Sequence, residues 1–158
     1  MGAGLARRLA SLVYESLIAT AIVLVAGFAL TPLMSPVADP GGSLVLPGYT
    51  RRAAGFALVV AILGAYFVAC WSGGRRTLPM KTWRIALVAA GGAQVTVPRA
   101  IVRYAAAWIG PLAALATYAA TQSKLAVLML ALPYAWALVD GERRFLHDRI
   151  AGTTLVGR

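Results

Sequence analysis

Four long apolar runs, separated by polar or basic stretches, dominate the chain. The first contains twenty-two residues, and a helix of that length rises about 33 Å, which is enough to cross the hydrocarbon core of a bilayer. The pattern therefore predicts an all-α membrane protein, a bundle of about four transmembrane helices in one domain that covers residues 1–158. The predicted helices occupy residues 9–30, 53–71, 101–120 and 125–139.

Prolines lie within the last two of these runs. Pro111 predicts a kink in the third helix, which membrane proteins tolerate where neighbouring helices satisfy the freed carbonyl. The fourth run has only fifteen residues and contains Pro133, so its length is marginal for crossing. It either crosses, with Lys124 and Asp140 reaching the two interfaces, or enters and leaves on the same side, and we favour crossing.

The segment between the second and third runs, residues 72–100, is polar and basic. Its apolar pieces "WRIALV" and "AQVTV" flank the pair Gly91 and Gly92. Each piece is too short for a transmembrane helix, and two adjacent glycines are typical of a tight turn. We therefore expect a short hairpin-like or interfacial element in a cytoplasmic loop between helices 2 and 3.

The composition agrees with a membrane protein and disagrees with a soluble one. Hydrophobic residues make up 60% of the chain and charged residues 13%, with a mean hydropathy of +0.76. Soluble domains average about 45–50% apolar and about 25% charged residues. A soluble fold of this size could not cover so much apolar surface with so few charges, so the bilayer is the first expected partner.

The basic residues predict how the helices are oriented. A net charge of +10 on a polar domain would suggest nucleic acid, but here the arginines flank apolar runs, so we expect no nucleic-acid partner. With four spans, twelve of the fifteen basic residues fall on one side and three, Arg51, Arg52 and Lys124, on the other. The positive-inside rule then places both termini, and the tail 140–158, in the cytoplasm.

A few charged residues lie where a bilayer makes charge costly. Glu15 lies about six residues inside the first predicted helix, where a carboxylate needs a partner, a proton or water. We hypothesise two pairs between segments, Glu15 with Arg103 (or Arg99) and Arg8 with Asp148. The simpler alternatives are that Arg8 binds lipid phosphates and that Glu15 forms a structural pair with no transport role.

The one histidine, His147, is a candidate titrating group near neutral pH, although a lone interfacial histidine is more often a simple hydrogen-bonding group. The chain has no second histidine and no catalytic or metal-binding spacing around it. We therefore expect no enzymatic activity, no cofactor and no bound metal. Cys70 is the one cysteine, so no disulfide can form within the chain.

Three stretches resemble the RDD family of small bacterial membrane proteins, namely "ARRLASLVYE", "YFVACWSGGRRTLPMKTWRIALV" and "WALVDGERRFLHDRIAGTTLV". The family takes its name from one arginine and two aspartates. Arg8 matches the arginine and Asp148 the second aspartate, whereas Glu15 stands where the first aspartate is usual. The resemblance implies a multi-pass protein of the bacterial inner membrane.

Two functions follow from this resemblance and from the buried charges. The family has been associated with transport of unknown ligands, and some members with sodium or proton exchange, so we expect transport of an ion or a small ligand. The alternative is a non-catalytic accessory, assembly or structural subunit of a larger complex, which would dock through small-residue faces such as the one that contains Gly55 and Gly64. Either function favours a homo-oligomer or a partner membrane protein.

Overall fold

The computed structural model describes residues 4–38 and 40–158, so residues 1–3 and 39 of the predicted domain lie outside the described residues. The fold is mostly helical, and three helical stretches are long and apolar enough to cross a membrane. These stretches are α1 (Leu5–Met34), α2 (Tyr49–Trp71) and the pair α4 (Val97–Ala107) and α5 (Ile109–Thr121).

Helices α1 and α2 form an antiparallel pair. The loop between them contains two short strands, β1 (Val37–Ala38) and β2 (Leu44–Val45), that pair antiparallel. Gly55, near the start of α2, is buried against the Met34 side chain at the end of α1, and a Cβ on Gly55 would lie 2.9 Å from the Met34 methyl carbon. The absence of a side chain at Gly55 therefore lets the two helices approach closely.

The third helical stretch is broken, as the proline in its sequence predicts. Helix α4 ends at Ala107 and α5 begins at Ile109, with Trp108 between them. Pro111 has no backbone N–H, and its ring would clash with the carbonyl of Ala107, four residues earlier. The helix resumes at once, since the Leu112 N–H donates to the Trp108 carbonyl at 2.9 Å.

The fourth apolar run is a composite of three short helical pieces. A 3₁₀ helix (Lys124–Ala131) leads into α6 (Leu132–Ala135), and a second 3₁₀ turn (Trp136–Leu138) follows. A 3₁₀ helix rises about 2.0 Å per residue against about 1.5 Å for an α-helix, so the run extends roughly 28 Å. An ordinary α-helix of the same fifteen residues would extend only about 22 Å.

The remaining elements gather at the end of the bundle where α1 begins and α2 ends. They are α3 (Leu78–Thr82), β3 (Ile85–Ala89), α7 (Leu146–Ala151) and β4 (Thr153–Gly157). Strand β3 pairs antiparallel with β4, with Leu87 opposite Leu155. The chain is therefore not purely α-helical, because the loop and the tail together form a two-stranded sheet.

The predicted hairpin within the loop is wrong in its pairing. The chain does turn at Gly91 and Gly92, where the Ala89 N–H donates to the Ala93 carbonyl at 2.9 Å. The "AQVTV" piece then runs into α4 instead of pairing with β3, and β4 from the tail occupies the edge of β3. Almost every residue of β3 is buried, so both faces of the strand pack against other parts of the chain. A local hairpin alone would leave one of these faces uncovered.

A compact apolar core lies beneath this sheet. Its buried members come from α2, α3, β3, the segment before α4, α4 itself and β4, and they are Trp71, Met80, Ile85, Leu87, Val95, Ala100 and Leu155. Along the helices the opposite holds, since large apolar side chains face outward, with Phe28 82% exposed and Leu128 61% exposed. A bilayer would cover such helix surfaces, whereas the sheet end contains its own core.

Candidate functional site

A cavity of about 260 Å³ lies between α1, α2 and α4, next to the sheet end of the bundle. Helix α1 lines the cavity from Arg8 to Ala19, a length of about 16 Å along the helix axis. Arg103 and His147 line it near Arg8, so this end is polar, whereas Ala19 and Pro111 line the apolar end. Six aromatic rings contribute to its walls: Phe67, Trp71, Tyr104, Trp108, Tyr134 and Phe145.

Glu15 projects into this cavity from α1, and Thr77 holds it in place. The Thr77 hydroxyl donates to Glu15 Oε1 at 2.8 Å and accepts the Met80 N–H at 3.3 Å, which caps α3. A hydroxyl group has one hydrogen and two lone pairs, so it can cap the helix and bind the carboxylate together. Within the described part of the chain, Glu15 forms no salt bridge.

Arg103 is bound to Asp148 of the tail. Its Nε donates to Asp148 Oδ1 at 2.8 Å, and both side chains are almost fully buried. The Arg103 guanidinium also lies over the Trp71 ring, 4.1 Å from the centroid, so a cation–π contact covers one of its faces. Thr153 donates a second hydrogen bond to Asp148 Oδ1 at 3.2 Å.

These contacts set the charge of Asp148. Burial would raise the pKa of its carboxyl, but the Arg103 guanidinium and the hydrogen bonds outweigh burial and hold that pKa below its usual value. Asp148 is therefore ionised at neutral pH, and the pair is neutral as a unit. The other oxygen, Oδ2, is buried without a hydrogen bond.

Arg8 fastens the tail to α1 through backbone carbonyls. Its NH1 donates to the Arg143 carbonyl at 2.8 Å, and its NH2 donates to the Leu155 carbonyl at 3.1 Å. The side chain is buried, with 5% of the residue exposed. Arg8 therefore connects the start of α1 to both ends of the tail, across more than 130 residues of sequence.

Neither of the two predicted pairs forms between these side chains. Arg103 was expected to bind Glu15 and instead binds Asp148, while Arg8 was expected to bind Asp148 and instead binds carbonyl oxygens. The alternative partner for Glu15, Arg99, is exposed at the start of α4. The physical reason is that α7 packs against α4 and so brings Asp148 to the arginine of α4, whereas α1 meets β4 and the segment before α7.

His147 lies beside this pair and does not titrate near neutral pH. Burial disfavours its protonated form and, against the attraction of Asp148, lowers its pKa from 6.5 to about 4. Its Nε2 is 3.9 Å from Asp148 Oδ2, and its ring packs against Tyr134 and Phe145. The imidazole is therefore neutral at pH 7, contrary to the proposed role as a titrating group there.

Asp140 stabilises the turn at the start of the tail, ahead of the tail residues that line the cavity. Its Oδ2 accepts the backbone N–H of Arg144 at 2.9 Å and that of Glu142 at 3.2 Å, and its Oδ1 accepts a bond from the Arg149 side chain at 3.2 Å. The backbone hydrogen bond from Arg144 is the largest cause that lowers the pKa of Asp140. The carboxylate thereby fixes the turn that directs α7 back towards α4.

Sequence reasoning missed two residues of the site, Thr77 and Trp71. Thr77 had a local signal, because a threonine two positions before Pro79 is typical of a helix N-cap. That signal indicates the cap, but the Glu15 hydrogen bond joins residues 62 positions apart and has no local signature. The stacking of Trp71 on Arg103 likewise depends on how α2 and α4 pack.

Taken together, the long apolar helices and the buried charges at one end define a small helical protein of the membrane type. The model of the RDD family matches residues 2–152, nearly the whole chain, and the chain belongs to that family. No curated protein and no solved structure matches it.

Proposed function

We propose that this RDD-family protein is a multi-pass protein of the bacterial inner membrane that transports an ion or a small ligand through the cavity at Glu15. One observation carries the proposal: Glu15 projects into a cavity and has a neutral hydroxyl as its hydrogen-bond partner. The two arginines nearby are bound to other groups, Arg103 to Asp148 and Arg8 to carbonyls. A carboxylate in such a place is costly, and a transported cation or proton would offset that cost.

The shape of the fourth run supports a four-span topology. Its 3₁₀ pieces lengthen fifteen residues to roughly 28 Å, close to the thickness of about 30 Å of a bilayer core. Gly110 of α5 supports the same arrangement, because a Cβ there would lie 3.1 Å from the Pro133 ring. The run therefore packs closely along α5, as an antiparallel spanning pair would.

The distribution of basic residues supports cytoplasmic termini. The start of α1, the segment with α3, the start of α4 and the tail carry twelve of the fifteen basic residues, and direct contacts join these segments at one end of the bundle. Arg51 and Arg52 lie at the start of α2, at the opposite end. Such asymmetry is typical of cytoplasmic loops. Four spans enclose little space, so we further propose that the protein works as a homo-oligomer.

The accessory-subunit function remains the second candidate. The small-residue face proposed for docking is used inside the chain, since Gly55 lies against Met34 and a Cβ on Gly64 would lie 3.0 Å from the Tyr104 ring. A partner would therefore have to dock elsewhere, for example on the exposed apolar surface of α1. This candidate predicts that the protein co-purifies with a stable membrane partner in mild detergent and shows no flux when isolated.

Flux measurements in proteoliposomes test the transport proposal. Purified protein should dissipate an imposed proton or sodium gradient, and Glu15→Gln should abolish that flux while leaving the unfolding temperature in detergent nearly unchanged. Glu142→Gln is the matched control, because it removes the same charge from an exposed side chain of the tail. Equal flux in wild type and Glu15→Gln, or no flux above empty liposomes, would reject transport through this cavity.

A further inference from the structure

We infer that the cavity binds an organic ammonium ion with an apolar body, whose charged nitrogen lies against Glu15 and whose apolar groups lie against the aromatic wall. The inference rests on the proposed function, since it names the class of ligand that the same cavity would carry. Three observations lead to it: the Glu15 carboxyl group has no ionic partner, the wall is aromatic, and few oxygen atoms are available as ligands.

The groups that directly contact Glu15 favour a cation at its carboxylate. Arg103 and Asp148 neutralise each other at 2.8 Å, and His147 is neutral at pH 7. Arg8 lies seven residues from Glu15, about 10 Å along the helix axis, and its guanidinium donates to two carbonyls of the tail. Among the described residues, Glu15 and Arg8 both lack an ionic partner within salt-bridge distance, but Arg8 donates to two carbonyl oxygens whereas Glu15 accepts from a single hydroxyl.

The wall of the cavity favours an organic cation over a metal ion. Aromatic rings attract cations through their faces, and they attract quaternary ammonium groups in particular because these groups carry charge on an apolar surface. Sodium, magnesium and calcium instead need several oxygen ligands in place of their hydration shells. The side-chain hydroxyls of the cavity lining belong to Ser11, Ser16, Tyr104 and Tyr134. Two of them already donate to backbone carbonyls, Ser16 to Val13 and Tyr104 to Val60, each at 2.7 Å.

The described residues also contain no cluster of three or more His, Cys, Asp or Glu side chains that could hold a metal ion. Phe67, Tyr104, Trp108 and Tyr134 lie around the cavity, while the Trp71 ring already has Arg103 over it. A ligand in this space would therefore meet one carboxylate and several aromatic rings. That combination suits a tertiary or quaternary ammonium ion with an aromatic or aliphatic substituent.

Binding of benzyltrimethylammonium to the full-length protein in detergent tests the inference. Equilibrium dialysis measures the affinity, and tryptophan fluorescence reports the site, because Trp71 and Trp108 line the cavity. We expect saturable binding to wild type and to Glu142→Gln, and binding weakened by about tenfold or more in Glu15→Gln. Glu15→Asp keeps the charge and should retain binding, so a result with Glu15→Gln cannot be attributed to loss of the fold alone.

Two further comparisons separate binding through the positive charge from binding through apolar contacts alone. Neopentylbenzene has the same shape without the charge and should bind at least about tenfold more weakly than the ammonium. Trp108→Leu removes one ring of the wall and should weaken binding of the cation by about fivefold or more. Equal binding of neopentylbenzene, equal binding to Glu15→Gln, tighter binding of the anion benzylsulfonate, or no binding of benzyltrimethylammonium would each overturn the inference.

The inference and the transport proposal can fail separately. If benzyltrimethylammonium binds in a manner that depends on Glu15 while proteoliposomes show no flux of protons, sodium or this probe, the ligand class stands and transport is rejected. If proteoliposomes show a sodium or proton flux that depends on Glu15 while benzyltrimethylammonium does not bind, transport stands and the ligand class is rejected.

Discussion

At the scale of single residues, the buried pair of Arg103 and Asp148 connects the tail directly to α4. Its atoms are 2.8 Å apart and both side chains are almost fully buried. Removing one partner leaves an uncompensated charge in an environment that cannot solvate it. We expect Asp148→Asn to lower the free energy of unfolding by about 3–5 kcal/mol, measured by thermal unfolding in detergent micelles.

Arg99 provides the matched control for this pair. It lies one turn before Arg103 on α4 but is exposed, so Arg99→Gln removes the same charge without breaking a buried contact. We expect Arg99→Gln to change the unfolding temperature little and Arg103→Gln to lower it strongly. Similar effects of the two substitutions would show that the pair does not stabilise the fold.

The neighbouring His147 makes the stability depend on pH. Its pKa is about 4 in the folded protein and near 6.5 when unfolded, so the unfolded chain takes up a proton first as the pH falls. Its contribution to stability is complete above pH 6.5 and is lost progressively between pH 6.5 and about pH 4. The loss amounts to roughly 3 kcal/mol, and unfolding temperatures across that range would measure it.

His147→Phe isolates this contribution, because phenylalanine keeps a ring against Tyr134 and Phe145 but binds no proton. The variant should show little decline between pH 6.5 and pH 4. Asp148 has a lowered pKa, so its stabilising charge is present above pH 3.8 and is lost as the pH falls further. Both proteins should therefore lose stability below pH 3.8, and an unchanged slope above pH 4 in His147→Phe would contradict the assignment.

At the scale of the elements, Gly110 sets how closely the fourth run packs on α5. A Cβ at this position would lie 3.1 Å from two carbons of the Pro133 ring and 3.2 Å from the Leu130 carbonyl oxygen. Since a proline ring and a backbone oxygen cannot rotate away, Gly110→Ala should force the two segments apart. We expect a loss of about 1–3 kcal/mol, measured by thermal unfolding in detergent.

Gly27 is the control for that substitution. It lies within α1, where a Cβ would meet nothing within 4 Å, so alanine should be neutral or slightly stabilising. If Gly110→Ala behaves like Gly27→Ala, the fourth run does not pack closely on α5, and a main support for its spanning the bilayer is lost.

The helices could be predicted from the sequence, whereas the pairing of strands and of charged side chains could not. The long helices follow from local apolar runs, and the break near Pro111 follows from the chemistry of one residue, so both could be predicted. The partner of β3 could not, because β4 follows more than sixty residues later and the nearer "AQVTV" piece has an equally suitable strand pattern. The sequence indicates Arg103, Glu15 and Asp148 as candidate charges of the site, but which of them pair depends on the packing of α7 against α4.

At the scale of the whole molecule, the chain has two physically different parts, the long helices and the end of the bundle that contains the β3–β4 sheet. The helices expose apolar surface along their length, as a bilayer would require, and the sheet end contains a buried core and most of the ionic contacts. Arg8, Arg103 and Asp148 fasten the tail onto that end, so the tail forms part of the cavity wall through Phe145, His147 and Leu155. The site therefore depends on segments from both termini of the domain.

This division predicts a topology that labelling of single cysteines can test in intact cells. With Cys70 replaced by alanine, a cysteine at Thr50 should react with a membrane-impermeant maleimide from outside the inner membrane, because Thr50 adjoins Arg51 at the end of the bundle with few basic residues. A cysteine at Gly157, in β4, should react only after the membrane is permeabilised, since that end carries twelve of the fifteen basic residues. A cysteine at Gln122, in the turn before the fourth run, should behave like the one at Thr50.

Two outcomes would contradict this topology. Labelling of the Gly157 and Thr50 positions from the same side would exclude it as a whole. Protection of Gln122 alone would mean that α5 and the fourth run do not both cross the membrane.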